Sequence, residues 1–179
     1  MIYDITQELF GGKVYPGDVK PEYRRVGELS RGDCANTTEF SMNAHNATHI
    51  DAPFHRVDGG RTIDMIDIDV CFGECEVISY KNSKRLEQTK ADRILLKDCE
   101  CIDENTAIMI RDKGVRFFGV EGQSVGSIDV HTILLEADVI VLEGAVLSHV
   151  PEGKYLLSAA PIKLGGCDGA PCRAFLVTL

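Results

Sequence analysis

Short apolar runs, broken at close intervals by glycine, proline, asparagine and aspartate, dominate the chain. Alternating, β-branched or aromatic segments predict strands over Tyr23–Ser30, Thr37–Asn43, Cys75–Tyr80 and Thr106–Arg111. Further strands are predicted over Val115–Val120, Val139–Leu142, Tyr155–Leu164 and Arg173–Thr178. Turn chemistry at Tyr15-Pro16-Gly17-Asp18, Val57-Asp58-Gly59-Gly60 and Pro151-Glu152-Gly153 separates them. Helical spacing is rarer. It is clearest over Ser127–Ala137, where Ser127 can cap the first turn and Ile128, Leu134 and Leu135 are expected to face a core. A weaker helix is expected near Lys84–Leu95. The pattern predicts an α/β protein with much strand and few helices, and leaves the topology open.

Length and composition bound the function. The chain has 179 residues, 44% hydrophobic and 26% charged, which fits one globular domain spanning 1–179. A chain of this size buries roughly two-thirds of the surface its unfolded form exposes, so it needs no disulfide or metal merely to fold. The formal net charge of -9 opposes a phosphate-coated partner, and no Lys/Arg cluster offsets it, so nucleic acid is not an expected ligand. Met1-Ile2-Tyr3-Asp4-Ile5-Thr6 lacks the basic and apolar regions of a secretory signal, and no apolar run approaches a membrane span. A cytoplasmic location is expected, with no membrane partner. The seven cysteines (34, 71, 75, 99, 101, 167 and 172) include no pair at zinc-knuckle spacing, and their odd number argues against a disulfide framework. They are expected to be reduced and mostly buried.

The chemistry concentrates between His45 and His55. Three of the five histidines fall there, with Asp51 among them. One histidine alone is usually a surface or hydrogen-bonded core residue. Three with an aspartate in so short a window point to a divalent metal, because imidazole and carboxylate suit Zn²⁺, Mn²⁺ and Fe²⁺. The four-residue spacing of His45 and His49 could place them on one helix face. However, Asn46 stands where the zinc-protease helix needs Glu, and Pro53 would break a helix. The stretch therefore reads as extended or looped. In an extended chain His49 and Asp51 point to one side, small Ala47 lets the backbone bend to bring in His45, and Pro53 stiffens a turn that returns His55. A second cluster comprises His131 on the predicted helix and Glu143 at the end of an apolar strand, a frequent place for functional groups in α/β folds. His149 has no evident partner and reads as structural.

The segment His45-Asn46-Ala47-Thr48-His49-Ile50-Asp51-Ala52-Pro53-Phe54-His55 resembles the His-x-Gly-Thr-His-x-Asp-x-Pro-x-His motif of the cyclase family, which includes bacterial kynurenine formamidases and isatin hydrolases. It departs only at Ala47, where the family usually has Gly. Asp4-Ile5-Thr6, Val14-Tyr15-Pro16-Gly17-Asp18, Val141-Leu142-Glu143-Gly144, Ala160–Leu164 and Ala170–Ala174 extend the likeness over most of the chain. The resemblance implies a small α/β domain around a twisted, barrel-like mixed sheet of the swivelling β/β/α type. It implies one metal on His45, His49 and Asp51, with Asp51 bridging to a second on His131 and Glu143. His55 becomes the general acid/base, and a homodimer the expected assembly. Another departure lies after Ile110-Arg111, where Asp112-Lys113-Gly114 leads directly into Val115–Val120 and a family turn, loop and helix are expected to be missing.

The expected activity is metal-dependent hydrolysis of a small-molecule C–N amide, an N-formyl aryl amide first, with zinc ahead of manganese or iron and one or two ions per chain. A lactone or cyclic amide remains an alternative substrate. A non-catalytic metal-binding or ligand-sensing domain is the alternative from another class, and a non-ligand histidine at position 55 argues against it.

Overall fold

The computed structural model describes all residues, 1–179. In chain order the first strands are β1 (Ile2–Asp4), β2 (Glu22–Gly27), β3 (Thr37–Ser41), β4 (His49–Asp51) and β5 (Phe72–Ser79). Helix α1 (Ser83–Gln88) leads to β6 (Arg93–Lys97), α2 (Glu104–Asp112) to β7 (Phe117–Val120), and α3 (Ile128–Glu136) to β8 (Ile140–Glu143). The chain closes with β9 (Gly153–Ser158), β10 (Gly169–Pro171) and β11 (Phe175–Thr178).

Nine strands form one mixed sheet in the order β1-β11-β9-β5-β6-β7-β8-β4-β10. Its centre, β5 to β8, is parallel, with α1, α2 and α3 as the three crossovers. Antiparallel strands flank it on both sides. The central strands are apolar on both faces, which explains their unbroken hydrophobic runs. In β6, Ile94 and Leu96 pack with Leu86 of α1, Ile110 of α2 and Leu134 of α3. Leu95, one residue between them, enters the opposite core with Ile140 and Leu142. That second core also joins Leu157 of β9 to Ile50 of β4, which lie far apart in the strand order. The sheet must therefore curl around it, as the barrel-like expectation required. Truncating a buried residue such as Leu134 to Ala would cost about 2–5 kcal/mol.

Several local expectations are corrected. Thr106–Arg111 is not a strand but most of α2. The Asp103 side chain accepts a hydrogen bond from the Thr106 N–H, and Ala107 and Ile110, three apart, are both buried. Capping and packing outweigh the β propensity of the run. The helix expected to be missing after those residues is thus α2 itself, and β6 is the strand before it. The expected Lys84–Leu95 helix ends at Gln88, since Arg93, Ile94 and Leu95 belong to the sheet centre. Ile128 does not face the core; it is 66% exposed at the start of α3. The Tyr155–Leu164 strand stops at Ser158, and only an isolated bridge at Pro161 continues the pairing, as proline cannot donate to a ladder. Tyr23–Ser30 stops at Gly27 and gives way to a 3₁₀ turn over Leu29–Arg31.

β2 and β3 stand apart as a two-stranded ribbon, exposed along nearly its whole length. Phe10 packs on it, with ring centroids 4.8 Å from Tyr23 and 6.4 Å from Phe40. All seven cysteines are free; 71, 75, 99 and 172 are buried, while Cys34 and Cys101 are exposed. No helix is long and apolar enough to cross a membrane.

Candidate active site

The His45–His55 segment folds as its composition predicts. His49 and Asp51 are the ends of β4, a three-residue strand between β8 and β10, so their side chains share one face. His49 lies opposite Glu143 in that pairing. Ala47 bends the chain with φ of 57°, a left-handed conformation that costs a non-glycine residue roughly 1 kcal/mol. Glycine is the easier residue there, yet alanine keeps the bend. Pro53 opens a 3₁₀ turn, Pro53–His55, that swings His55 back toward the strand. His131 comes from the second turn of α3, whose Ser127 cap accepts from the Val130 N–H.

The backbone crowds in so that these groups can meet. A Cβ at Gly144 would lie 2.4 Å from the Ala47 carbonyl oxygen, so only glycine lets the end of β8 approach the bend. A Cβ at Gly169 would come within 2.8 Å of His45 Cε1. The Thr48 hydroxyl donates to the Gly144 carbonyl at 2.7 Å, and Gln7 Nε2 donates to the same oxygen at 2.8 Å.

Six residues singled out from the sequence therefore form one cluster, with His45, His55, His131 and Glu143 lining a cleft and His49 and Asp51 buried behind them. His45 Nδ1 is 2.8 Å from Asp51 Oδ1. His49 Nε2 lies 3.4 Å from Asp51 Oδ1 and 3.3 Å from Glu143 Oε2. His131 Nε2 is 3.0 Å from Glu143 Oε1 and 3.7 Å from Asp51 Oδ2. The His55 ring centroid is 4.3 Å from that of His45 and 5.8 Å from that of His131.

Two features fit the set to a cation. First, the outer nitrogens are committed. His49 Nδ1–H donates to the Ala47 carbonyl at 3.0 Å, and His131 Nδ1–H donates to the Ser127 carbonyl at 3.0 Å. A carbonyl can only accept, so each ring turns Nε2 into the site, the arrangement typical of ligating histidines. Second, His49 Nε2 and Asp51 Oδ2 are buried without an aligned hydrogen-bond partner. Leaving two such atoms unpaired is costly unless something binds between them.

Electrostatics agree. Burial by itself would push His49 down, but the Asp51 and Glu143 carboxylates outweigh it and hold the imidazole up to about 10. Burial would raise Asp51, yet its bonds to His45 and His49 hold it well below the usual carboxylate range. In the metal-free protein, a protonated His49 thus supplies the positive charge that two buried carboxylates require. Burial lowers His55, against the pull of Asp51.

Asp168 completes the cleft and was not singled out from the sequence. Its Oδ2 lies 2.9 Å from His45 Nε2 and 3.2 Å from His55 Nδ1. The available signal was an acid inside a glycine-rich turn, Gly165-Gly166-Cys167-Asp168-Gly169, just ahead of β10. The cleft has a volume of about 720 Å³. Beyond the histidines and charged groups, its lining includes Tyr15, Ala44, Ile128, Ser124 and Gln123. His149 lies outside it, its ring 6.0 Å from that of Tyr3.

Comparisons with known proteins place the chain in context. The Cyclase family model matches residues 3–100. A kynurenine formamidase of Erythrobacter litoralis is 30% identical over 200 aligned positions, covering 98% of this chain and 93% of its own. The structure of a predicted metal-dependent hydrolase from Bacillus stearothermophilus superposes with a TM-score of 0.83 at 28% identity, covering 98% of this chain and 97% of that one. Isatin hydrolase A from Ralstonia solanacearum, at 19% identity, shares the fold with a TM-score of 0.84, covering all of this chain and 92% of its own. With its first motif inside the matched region and relatives aligned nearly end to end, this chain belongs to the cyclase family.

Proposed function

We propose that this chain is a metal-dependent hydrolase that cleaves the C–N bond of an N-formyl aryl amide, releasing formate and an arylamine. One observation carries the reading: buried His49 Nε2 and Asp51 Oδ2, both without an aligned partner, sit against His45, His131 and Glu143, which line a cleft with His55. The full-length likeness to kynurenine formamidases selects the bond.

His45, His49 and Asp51 would hold one ion, and Asp51, His131 and Glu143 would hold a second. The residue set suits Zn²⁺ first, then Mn²⁺ or Fe²⁺. Such an ion supplies Lewis-acid polarisation of a carbonyl and lowers the pKa of water toward about 7. The protein's own groups do the rest. Asp168 accepts the His55 Nδ1–H, which leaves Nε2 free to face the substrate. His55 takes a proton from the attacking water as the C–O bond forms at the formyl carbon. It returns that proton to the nitrogen as the C–N bond breaks. A positioned acid/base of this kind contributes about 10²- to 10⁴-fold in rate. Tyr15 and Ile128 provide apolar surface for the aryl ring.

The assembly that suits this reading is a homodimer. The exposed aromatic ribbon of β2 and β3 supports it, because a two-stranded ribbon without a covered face is marginal alone.

The test is formate release from N-formylkynurenine by protein reconstituted with Zn²⁺ or Mn²⁺. Turnover that vanishes on chelation and returns on reloading is expected. Hydrolysis of lactones or cyclic amides without any formyl amide turnover would overturn the choice of bond.

A further inference from the structure

The chain contains ten arginines, and the fold provides a side-chain hydrogen bond or ion pair for nine of them. The exception is Arg56. It follows His55 directly, closes the 3₁₀ turn begun by Pro53, and is exposed. Its backbone is held by a 3.1 Å hydrogen bond from its N–H to the Pro53 carbonyl, so the base of the side chain is fixed. It also lines the catalytic cleft, where it is the only lysine or arginine.

In a chain with 28 acidic residues, an arginine at the cleft that none of them pairs with offers its guanidinium to an incoming anion. The acids nearby do not fill it. Glu143 is committed to His131 and the Val125 N–H, and Asp168 to His45 and His55. The remaining acid of the lining is Asp18 at residue 18 of the Pro-Gly turn, and it makes no ion pair with Arg56. A guanidinium presents a planar fork of donors that matches a carboxylate two-on-two. We infer that Arg56 is the specificity residue of this site, and that the substrate carries a carboxylate beside the scissile formyl amide. The ligand class is therefore an anionic N-formyl arylamine rather than a neutral one. This inference rests on the hydrolase reading above and adds the charge of the substrate.

The experiment compares formanilide with N-formylanthranilate, which differ by one carboxylate, on the metal-loaded full chain. The wild type is expected to prefer N-formylanthranilate. In Arg56→Ala the ratio of kcat/KM for the anionic over the neutral substrate should fall by about 10- to 100-fold, the range for a lost charge-assisted contact. Arg56→Lys should lie between, since an ammonium keeps the charge and loses the fork. An unchanged ratio in Arg56→Ala, or a wild type that prefers formanilide, overturns the proposal. If neither substrate is turned over, formate release from N-formylkynurenine decides the hydrolase reading separately, and calorimetric titration of anthranilate decides the role of Arg56. A similar loss of affinity in Arg56→Ala supports it, and equal affinity in both proteins overturns it.

Discussion

The cleft has two unlike halves. Its floor is His49, Asp51, His131 and Glu143, all buried and all carried by the two paired strands β4 and β8 or by α3 packed beside them. Its wall is His45, His55, Arg56 and Asp168, partly or fully exposed and carried by turns before and after short elements. Floor groups have their outer nitrogens tied to backbone carbonyls, and two of their inner atoms are unpaired. In the wall, His45 and His55 face one another through a single carboxylate, that of Asp168. The floor is built to hold a charge in place. The wall can adjust, which suits His55 and Arg56 as groups that move protons or meet substrate, while His45 reaches from it to Asp51 at the floor.

The largest effect should come from the floor. Asp51→Asn removes the carboxylate that meets both floor histidines and His45, so bound metal and turnover should be lost together, with kcat/KM down by about 10⁴-fold or more. Elemental analysis alongside kinetics checks this, and an active Asn variant would erase the distinction between the halves. His55→Ala should instead keep its metal and lose about 10²- to 10⁴-fold in kcat. Unchanged kinetics would remove His55 from the chemistry. Asp168→Asn should cost less, about 10- to 100-fold in kcat, because it orients His55 without meeting substrate. A loss of metal in that variant would move Asp168 from the wall to the floor.

The smallest expected effect concerns protons. In the metal-free protein His49 is held at about 10, against an ordinary 6.5. Its raised value stabilises the fold fully below pH 6.5, and that contribution is lost as pH rises through 10. Asp51 is depressed, so its contribution is present above the ordinary carboxylate range and is lost as pH falls through its lowered value. Chelated protein should therefore lose thermal stability between pH 6.5 and 10, and metal-loaded protein should lose less. Metal addition near pH 7.5 should also release about one proton per chain from His49, measurable by calorimetry in buffers of different ionisation enthalpy.

How legible each half was in the sequence follows from where its order lies. Of the floor, His49 and Asp51 are legible because they sit together in a strand whose alternation is local, and Glu143 because it ends a conspicuous apolar run. Asp168 was hidden because it meets His45 only through the pairing of β10 with β4, a contact across more than a hundred residues. Thr106–Arg111 misled for the reverse reason. Its β-branched composition is local, while the packing that makes it helical comes from α3 and the sheet. Helical spacing alone points Ile128 at a core, but the first turn of α3 opens onto the cleft instead. The curl of the sheet, which brings Ile50 to Leu157, has no signature in any single segment.

The most direct test of the central claim is metal stoichiometry on protein purified without chelator, repeated after chelation and reloading, with hydrolysis measured on each sample. The account predicts one or two equivalents of a divalent metal per chain, with activity lost and regained in step with it. Protein that binds no metal even after reconstitution, or that hydrolyses its substrate equally well without it, would contradict the account.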